Sequence, residues 1–216
     1  MSNTKLIWEK RNSLTPGTCK ELISKFEIDP DKIPDIIVNE QGDRMIKRST
    51  ALNISNLESW KSLDSILFDS FNESIKAYTE RLLKMNYVIP FNKSYEINDS
   101  GYIIEKYDIP NAGEIQGLYS WHNDFFVDRI GTSILTIIVF LDDVKDGGEI
   151  EFMDGTKIKP ETGKMVIFPS SWEMVYRINS PESNPLYICK GYLCVKYKEK
   201  EDEKVYFLDL IFLFRY

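Results

Sequence analysis

The sequence predicts a mainly β protein with flanking helices, a jelly roll or two-sheet sandwich carried behind N-terminal support helices. Two observations predict it. Between residues 101 and 197, short extended runs follow one another, separated by turn residues and without helical periodicity. Ahead of them, residues 57–85 repeat apolar side chains at helical steps, the mark of one long amphipathic helix.

Taken in order, Thr15-Pro16 signals the first helix, a capping residue followed by a proline suited to the first turn. Leu22, Ile23 and Phe26 give it an apolar side, and it ends before Asp29-Pro30. Residues 30–43, rich in Pro, Asp and Asn, read as a loop, and 44–54 as an extended segment. In the long helix, Trp60, Leu63, Leu67, Phe71, Ile75, Tyr78 and Leu82 form one stripe that faces a core. The extended runs are 101–108, 118–124, 133–141, 148–153, 156–160, 164–169, 172–178 and 186–197. Gly147-Gly148, Asp154-Gly155 and Thr162-Gly163 punctuate them as turns. One domain over 1–197 is expected, with helical support at 12–85 and barrel strands at about 101–197. Residues 198–216 form an apolar extension, read as a buried or subunit-contacting strand and hence a candidate homodimer contact.

Composition narrows the function classes. With 216 residues, 43% hydrophobic and 28% charged, the chain can bury one sizeable core. A net charge of -7 argues against a protein that grips nucleic-acid phosphates, and no Lys/Arg run stands out. Cys19, Cys189 and Cys194 form no CxxC pair, so reduced, buried thiols in a cytoplasmic compartment are expected. No signal core opens the sequence and no stretch is long and apolar enough to span a membrane, so no membrane partner is expected.

His122 is the only histidine, which excludes zinc sites with two histidines, an HExxH helix and a histidine proton relay. No GxSxG elbow, P-loop or GxGxxG accompanies it. Asp124 follows two residues on, and in a strand such neighbours share a face, so imidazole and carboxylate can converge on one divalent first-row metal ion. By itself H-x-D is a weak pattern, and a lone histidine is more often a hydrogen-bonded core residue than a ligand.

The surrounding order of motifs adds weight. YSWHNDFF is followed by a hydrophobic strand ending FLDDV, then GGEIEF, then KIKPETGKMVIFPSSW. Upstream stand LTPGTCKELISKFE and RSTALNIS. This set, spanning residues 12–197, resembles the iron(II)/2-oxoglutarate oxygenases, specifically the prolyl 4-hydroxylase-like group. The resemblance implies a double-stranded β-helix, or jelly roll, with iron(II) at its open end and 2-oxoglutarate as cosubstrate, ascorbate being a candidate addition. It implies His122 and Asp124 as two ligands of a facial triad, with Tyr119 lining the cosubstrate pocket and Gly147-Gly148 turning two strands past the site.

Two positions depart from the family pattern. The third ligand should be a histidine after FPSSW, where this sequence has Tyr176 followed by Arg177. A phenol keeps its proton to a pKa of about 10, which makes it a poor ligand for iron(II). Glu173 is a replacement by charge, but in a regular strand over 172–178 its parity opposes that of Tyr176. The family's basic anchor for 2-oxoglutarate falls on Leu186, before Tyr187; Lys190 shares the parity of Leu186 and could reach back to make that contact. The alternative is a lysine whose amine lies in water at the barrel mouth.

Trp121, Trp172, Phe168, Arg177 and Arg48 are candidates for a substrate groove, against the ordinary reading of core aromatics and exposed arginines. Residues 108–117 read as a lid or a plain connection. Asp142, Asp143, Glu149 and Glu151 read as solvated or turn carboxylates, with metal ligation by Glu149 or Glu151 a distant alternative. The expectation is a dioxygenase that hydroxylates a peptidyl or small-molecule C–H bond. The alternative is a catalytically impaired jelly-roll binding module, because Tyr176 and Leu186 replace the expected ligand and anchor.

Overall fold

The computed structural model describes residues 3–38, 40, 42, 45–87, 95–110 and 118–198. The sequence's two halves become two layers. Strand β1 (Trp8–Lys10) leads into α1 (Pro16–Ile28), β2 (Ile33–Val38), β3 (Met45–Asn53) and α2 (Lys61–Lys84). The strands β4 (Tyr95–Tyr107), β5 (Leu118–His122), β6 (Thr132–Phe140), β7 (Ile150–Phe152), β8 (Lys157–Ile158), β9 (Met165–Pro169), β10 (Tyr176–Ile178) and β11 (Leu186–Tyr197) follow.

Helix α1 begins where the sequence places it. The Thr15 hydroxyl accepts a hydrogen bond from the Thr18 amide at 3.1 Å, and Pro16 opens the first turn. Both helices pack their apolar stripes on one face of the sheet. Cys19, Leu22 and Phe26 of α1 and Leu63, Leu67, Phe71 and Tyr78 of α2 meet Ile137, Val139, Ile167, Cys189 and Ile104. The alternate residues Ile138, Phe140, Val166, Phe168, Leu186 and Ile188 point the other way and build a second, interior core. A strand with apolar side chains on both faces reads as a near-continuous hydrophobic run, which is what SILTIIVFL is.

The strands form one antiparallel sheet in the order β1-β9-β6-β11-β4-β3-β5-β10-β7-β8, with β2 paired to β3. Along this path β10 lies four places from β11, yet the Lys190 ammonium of β11 donates to the Tyr176 hydroxyl of β10 at 2.8 Å. The Phe152 ring of β7 likewise meets Phe168 of β9 with centroids 5.0 Å apart. The sheet therefore curls until its two ends face each other across the interior, the half-barrel of a jelly roll.

Three sequence expectations change. Residues 33–38 form a strand rather than a loop: Ile33, Ile36, Ile37 and Val38 favour extended backbone, and an edge strand accommodates Pro34. The strand expected over 172–178 is limited to Tyr176–Ile178, because the Met174 amide donates to the Ser171 carbonyl and closes a turn. The parity argument against Glu173 therefore lapses; Glu173 is exposed in that turn. Asp124 lies just beyond the end of β5 rather than within it. The thiols of Cys19, Cys189 and Cys194 are buried and unpaired, as expected. Residues 111–117 of the suggested lid and 199–216 of the apolar extension lie outside the described residues.

Gly147 has φ 75°, and a Cβ there would collide with the Ser180 carbonyl oxygen. Gly147→Ala should therefore lower unfolding free energy by about 2 kcal/mol or more in urea titrations. A change within about 0.5 kcal/mol, the range of an ordinary surface substitution, would contradict the tight turn.

Candidate metal centre

Strand β5 carries the centre, and its irregularity aims it. Opposite β5, Tyr176 pairs with His122 but Ile178 pairs with Tyr119, so β5 spends one extra residue there. Such a bulge brings two residues three apart onto one face. Accordingly the Tyr119 and His122 rings stack, with centroids 3.4 Å apart and planes 11° from parallel. Tyr176 leans on the other side of His122 at 4.2 Å.

The imidazole has a fixed orientation. Nδ1 lies 2.7 Å from the Ser120 carbonyl oxygen, an acceptor, so Nδ1 carries the proton and Nε2 keeps its lone pair. That Nε2 is buried with no hydrogen-bond partner among the described residues. Burial, reinforced by the Lys190 ammonium and opposed by Asp124, pulls the imidazole pKa down to about 4. A buried neutral nitrogen aimed at nothing is costly unless something binds it.

Its neighbour is Asp124, whose Oδ1 lies 3.9 Å from His122 Nε2. The carboxylate is 8% exposed and has four donors. Oδ1 accepts from Lys190 Nζ at 2.8 Å and from the Tyr192 hydroxyl at 3.2 Å. Oδ2 accepts from the Tyr176 hydroxyl at 2.6 Å and the Thr136 hydroxyl at 3.0 Å. Burial alone would raise the Asp124 pKa, but the Lys190 ammonium, then His122 and the bonds from Lys190 and Tyr176, hold it below the usual carboxylate range. Lys190 is 3% exposed; burial disfavours its charge, and Asp124 together with the surrounding tyrosines outweighs that. Burial pushes the Tyr176 phenol well above 10, and Asp124 pushes it further, so Tyr176 donates its proton rather than offering a phenolate.

Tested against an iron(II) facial site, these donors fit at two positions and fail at the third. His122 Nε2 and Asp124 suit the ion in atom type and orientation. Tyr176, at the third position, is a protonated phenol, and Lys190 brings a positive charge against the carboxylate the ion would use. Among the described residues no group of three or more His, Cys, Asp and Glu side chains gathers to replace the missing ligand.

The remaining sequence candidates separate. Tyr119 and Lys190 converge on the centre: the Lys190 ammonium lies 5.7 Å from the Tyr119 ring. Leu186 faces the interior core rather than an anion. Phe168 is buried in that core against Phe152 and Tyr176. Trp121 and Arg177 do not join the centre. They alternate with His122 and Tyr176 along β5 and β10, so they occupy the opposite face, where the guanidinium sits 4.6 Å from the indole and pairs with Glu151 at 2.7 Å. Trp172 is 74% exposed, in the turn before β10. Glu151 is thereby a partner of Arg177, Asn179 and Lys157, not a member of the centre.

Sequence reasoning missed a second buried charge pair inside the barrel. Lys47 of β3 binds Glu105 of β4 at 2.8 Å and Asp35 at 2.5 Å, and the Tyr107 hydroxyl donates to Glu105 at 2.5 Å. The Lys47 ammonium lies 4.7 Å from the Tyr119 ring. The available signal was parity: Glu105 and Tyr107 alternate with Ile104 and Lys106, but charged residues in strands ordinarily read as solvated.

One histidine makes the centre directly observable by NMR. The folded imidazole is expected as the Nδ1–H tautomer, neutral between about pH 5 and 8, with its midpoint near 4. Because that midpoint lies below the ordinary value of 6.5, burial of neutral His122 favours folding at neutral pH and loses that advantage as pH falls toward 4. A midpoint near 6.5 would mean a solvated ring.

Residues 107–192, which include β5, β6, β9, β10 and most of β11, match the 2OG-Fe(II) oxygenase superfamily. No curated protein matches the sequence. Among solved structures, the chain is similar to a viral collagen prolyl hydroxylase from Paramecium Bursaria Chlorella virus-1 in complex with 2OG. That likeness has TM-score 0.56 and 15% identity, covering 90% of this chain and 97% of that one. It is also similar to a Trichoplax adhaerens prolyl hydroxylase in complex with a hypoxia inducible factor peptide fragment, with TM-score 0.63 and 16% identity over 89% and 84% of the two chains. A Pseudomonas putida prolyl-4-hydroxylase gives TM-score 0.52 and 13% identity over 90% and 94%. The superfamily model thus matches the segment that carries the site strands, and these solved structures share the jelly-roll fold.

Proposed function

We propose that the chain is an iron(II)- and 2-oxoglutarate-dependent hydroxylase acting on a peptidyl or small-molecule C–H bond. The observation that carries this reading is His122 Nε2, a buried lone pair with no partner among the described residues, 3.9 Å from the Asp124 carboxylate. His122 and Asp124 would hold the ion, and Tyr119, stacked on His122, would wall the cosubstrate. Bound iron(II) would supply oxygen activation coupled to decarboxylation of 2-oxoglutarate. The protein's part is to keep His122 neutral and fixed through Ser120 and to offer Lys190 as the cation for a cosubstrate carboxylate. Peptide substrates are favoured because one structural neighbour is a prolyl hydroxylase bound to a peptide fragment. A reductant such as ascorbate would accompany the reaction.

The domain reading, one unit over 1–197, is supported by the continuous sheet from β1 to β11. Among the described residues no helix is long and apolar enough to cross a membrane. Three buried, unpaired cysteines support a reducing, cytoplasmic compartment.

The test is anaerobic titration of the protein with iron(II) and 2-oxoglutarate, read by calorimetry and the visible chelate band. Under oxygen, succinate release provides a second readout. Binding of both, with His122→Ala weakening iron by about tenfold or more, is the expected result. Failure of both to bind at millimolar concentration would contradict the hydroxylase and leave a jelly-roll recognition module.

A further inference from the structure

We infer that the apolar segment 205–216 folds back on its own chain and covers the outer end of the β4–β11 ribbon, beside α2. The inference goes beyond the hydroxylase reading and does not depend on it.

The ribbon outruns the helix layer. Leu193, Val195 and Tyr197 of β11 stand opposite Asp99, Ile97 and Tyr95 of β4, so all six share one face. That face is the helix side, because Leu193 belongs with Phe71 of α2 to the helix-side core. At the inner end of the ribbon, Phe68, Phe71 and Ile75 of α2 form a groove with Ile97, Tyr102 and Leu193. Farther out the face lies bare: Ile97 is 52% exposed and Tyr197 55%, its ring against that of Tyr95 with centroids 5.9 Å apart. Phe68, on the helix wall, is 47% exposed. The strand edge is open as well. From Tyr95 to Asp99, β4 pairs only with β11 among the described residues. An apolar face beside an unpaired edge is a surface that proteins ordinarily cover.

The chain carries a cover of matching kind. Strand β11 ends at Tyr197, at the bare end of the ribbon. Residues 198–204, KEKEDEK, are all charged and suit a solvated tether. Residues 205–216, VYFLDLIFLFRY, are apolar or aromatic at ten of twelve positions. In extended conformation Tyr206, Leu208, Leu210, Phe212, Phe214 and Tyr216 share one face, while both charged residues, Asp209 and Arg215, fall on the other. The wholly apolar side thus meets the ribbon, and the side with the charges meets water. Reach permits the return. Seven tether residues span up to about 24 Å, and the way back from Tyr197 to Leu193 is roughly 13 Å along the strand. So short a tether holds the segment beside its seat at an effective concentration on the order of millimolar, which favours its own chain over a second copy.

The experiment is hydrogen exchange, read by mass spectrometry on the full chain, in wild type, Ile97→Glu, Phe68→Ser and, as a control on β2, Ile36→Glu. Wild type should be a monomer by light scattering, with residues 206–214 exchanging about a hundredfold or more slower than an unstructured chain. Ile97→Glu and Phe68→Ser should each speed that exchange about tenfold or more, and Ile36→Glu should leave it unchanged. Because Ile97 and Phe68 are about half exposed, amides of β6 should keep wild-type exchange in both variants, which separates loss of the cover from loss of the fold. Exchange of 206–214 at the unstructured rate in wild type, a measurement that needs no variant, would overturn the inference. Protection that both variants retain would overturn it by placing the segment elsewhere. Protection that accompanies a dimer and falls on dilution would overturn it in favour of a second copy.

Discussion

A carboxylate enclosed in a barrel of apolar side chains must have a positive charge beside it, and Asp124 is such a carboxylate. Lys190 supplies the charge, and Tyr176, Thr136 and Tyr192 fill the remaining acceptor positions. The arrangement is a closed account of hydrogen bonds, with one exception: His122 Nε2. Removing one partner of a buried pair leaves an uncompensated charge that costs about 3–5 kcal/mol. The centre is therefore stable as it stands, held by the Lys190–Asp124 pair.

The rest of the fold serves that convergence. Asp124 follows β5, Lys190 is on β11, Tyr176 on β10 and Thr136 on β6. These segments meet because the sheet curls and the two helices hold its outer face. The bulge in β5 turns Tyr119 and His122 to one side, which a regular strand could not do. Outside the barrel the same alternation sends Trp121 and Arg177 away from the centre. The period-two rule, broken once by that bulge, decides which of these side chains face the interior.

Much of this was legible in the sequence. The cap at Thr15, the stripe of the long helix and the boundaries of β11 follow from spacing alone. The ordered motifs around YSWHNDFF pointed to His122, Asp124 and Tyr119, and shared parity with Leu186 pointed Lys190 inward. What spacing could not give was the bond Lys190 makes, because parity names a face and not a partner across a curled sheet. Residues 33–38 were obscured by Pro34 and Asp35, which ordinarily signal a loop but sit comfortably on an edge strand. Lys47 and Glu105 were obscured by their charge, since only the closed barrel shows that each buries the other. That Trp121 and Arg177 lie on the face opposite the centre was hidden for a different reason: aromatic character near a motif carries no information about side.

The most direct test of this account is a crystal structure of the protein grown with Mn(II) and 2-oxoglutarate under anaerobic conditions. The account predicts manganese held by His122 and Asp124, with 2-oxoglutarate beside Tyr119. An intact Lys190–Asp124 pair with no ion at His122 would contradict it.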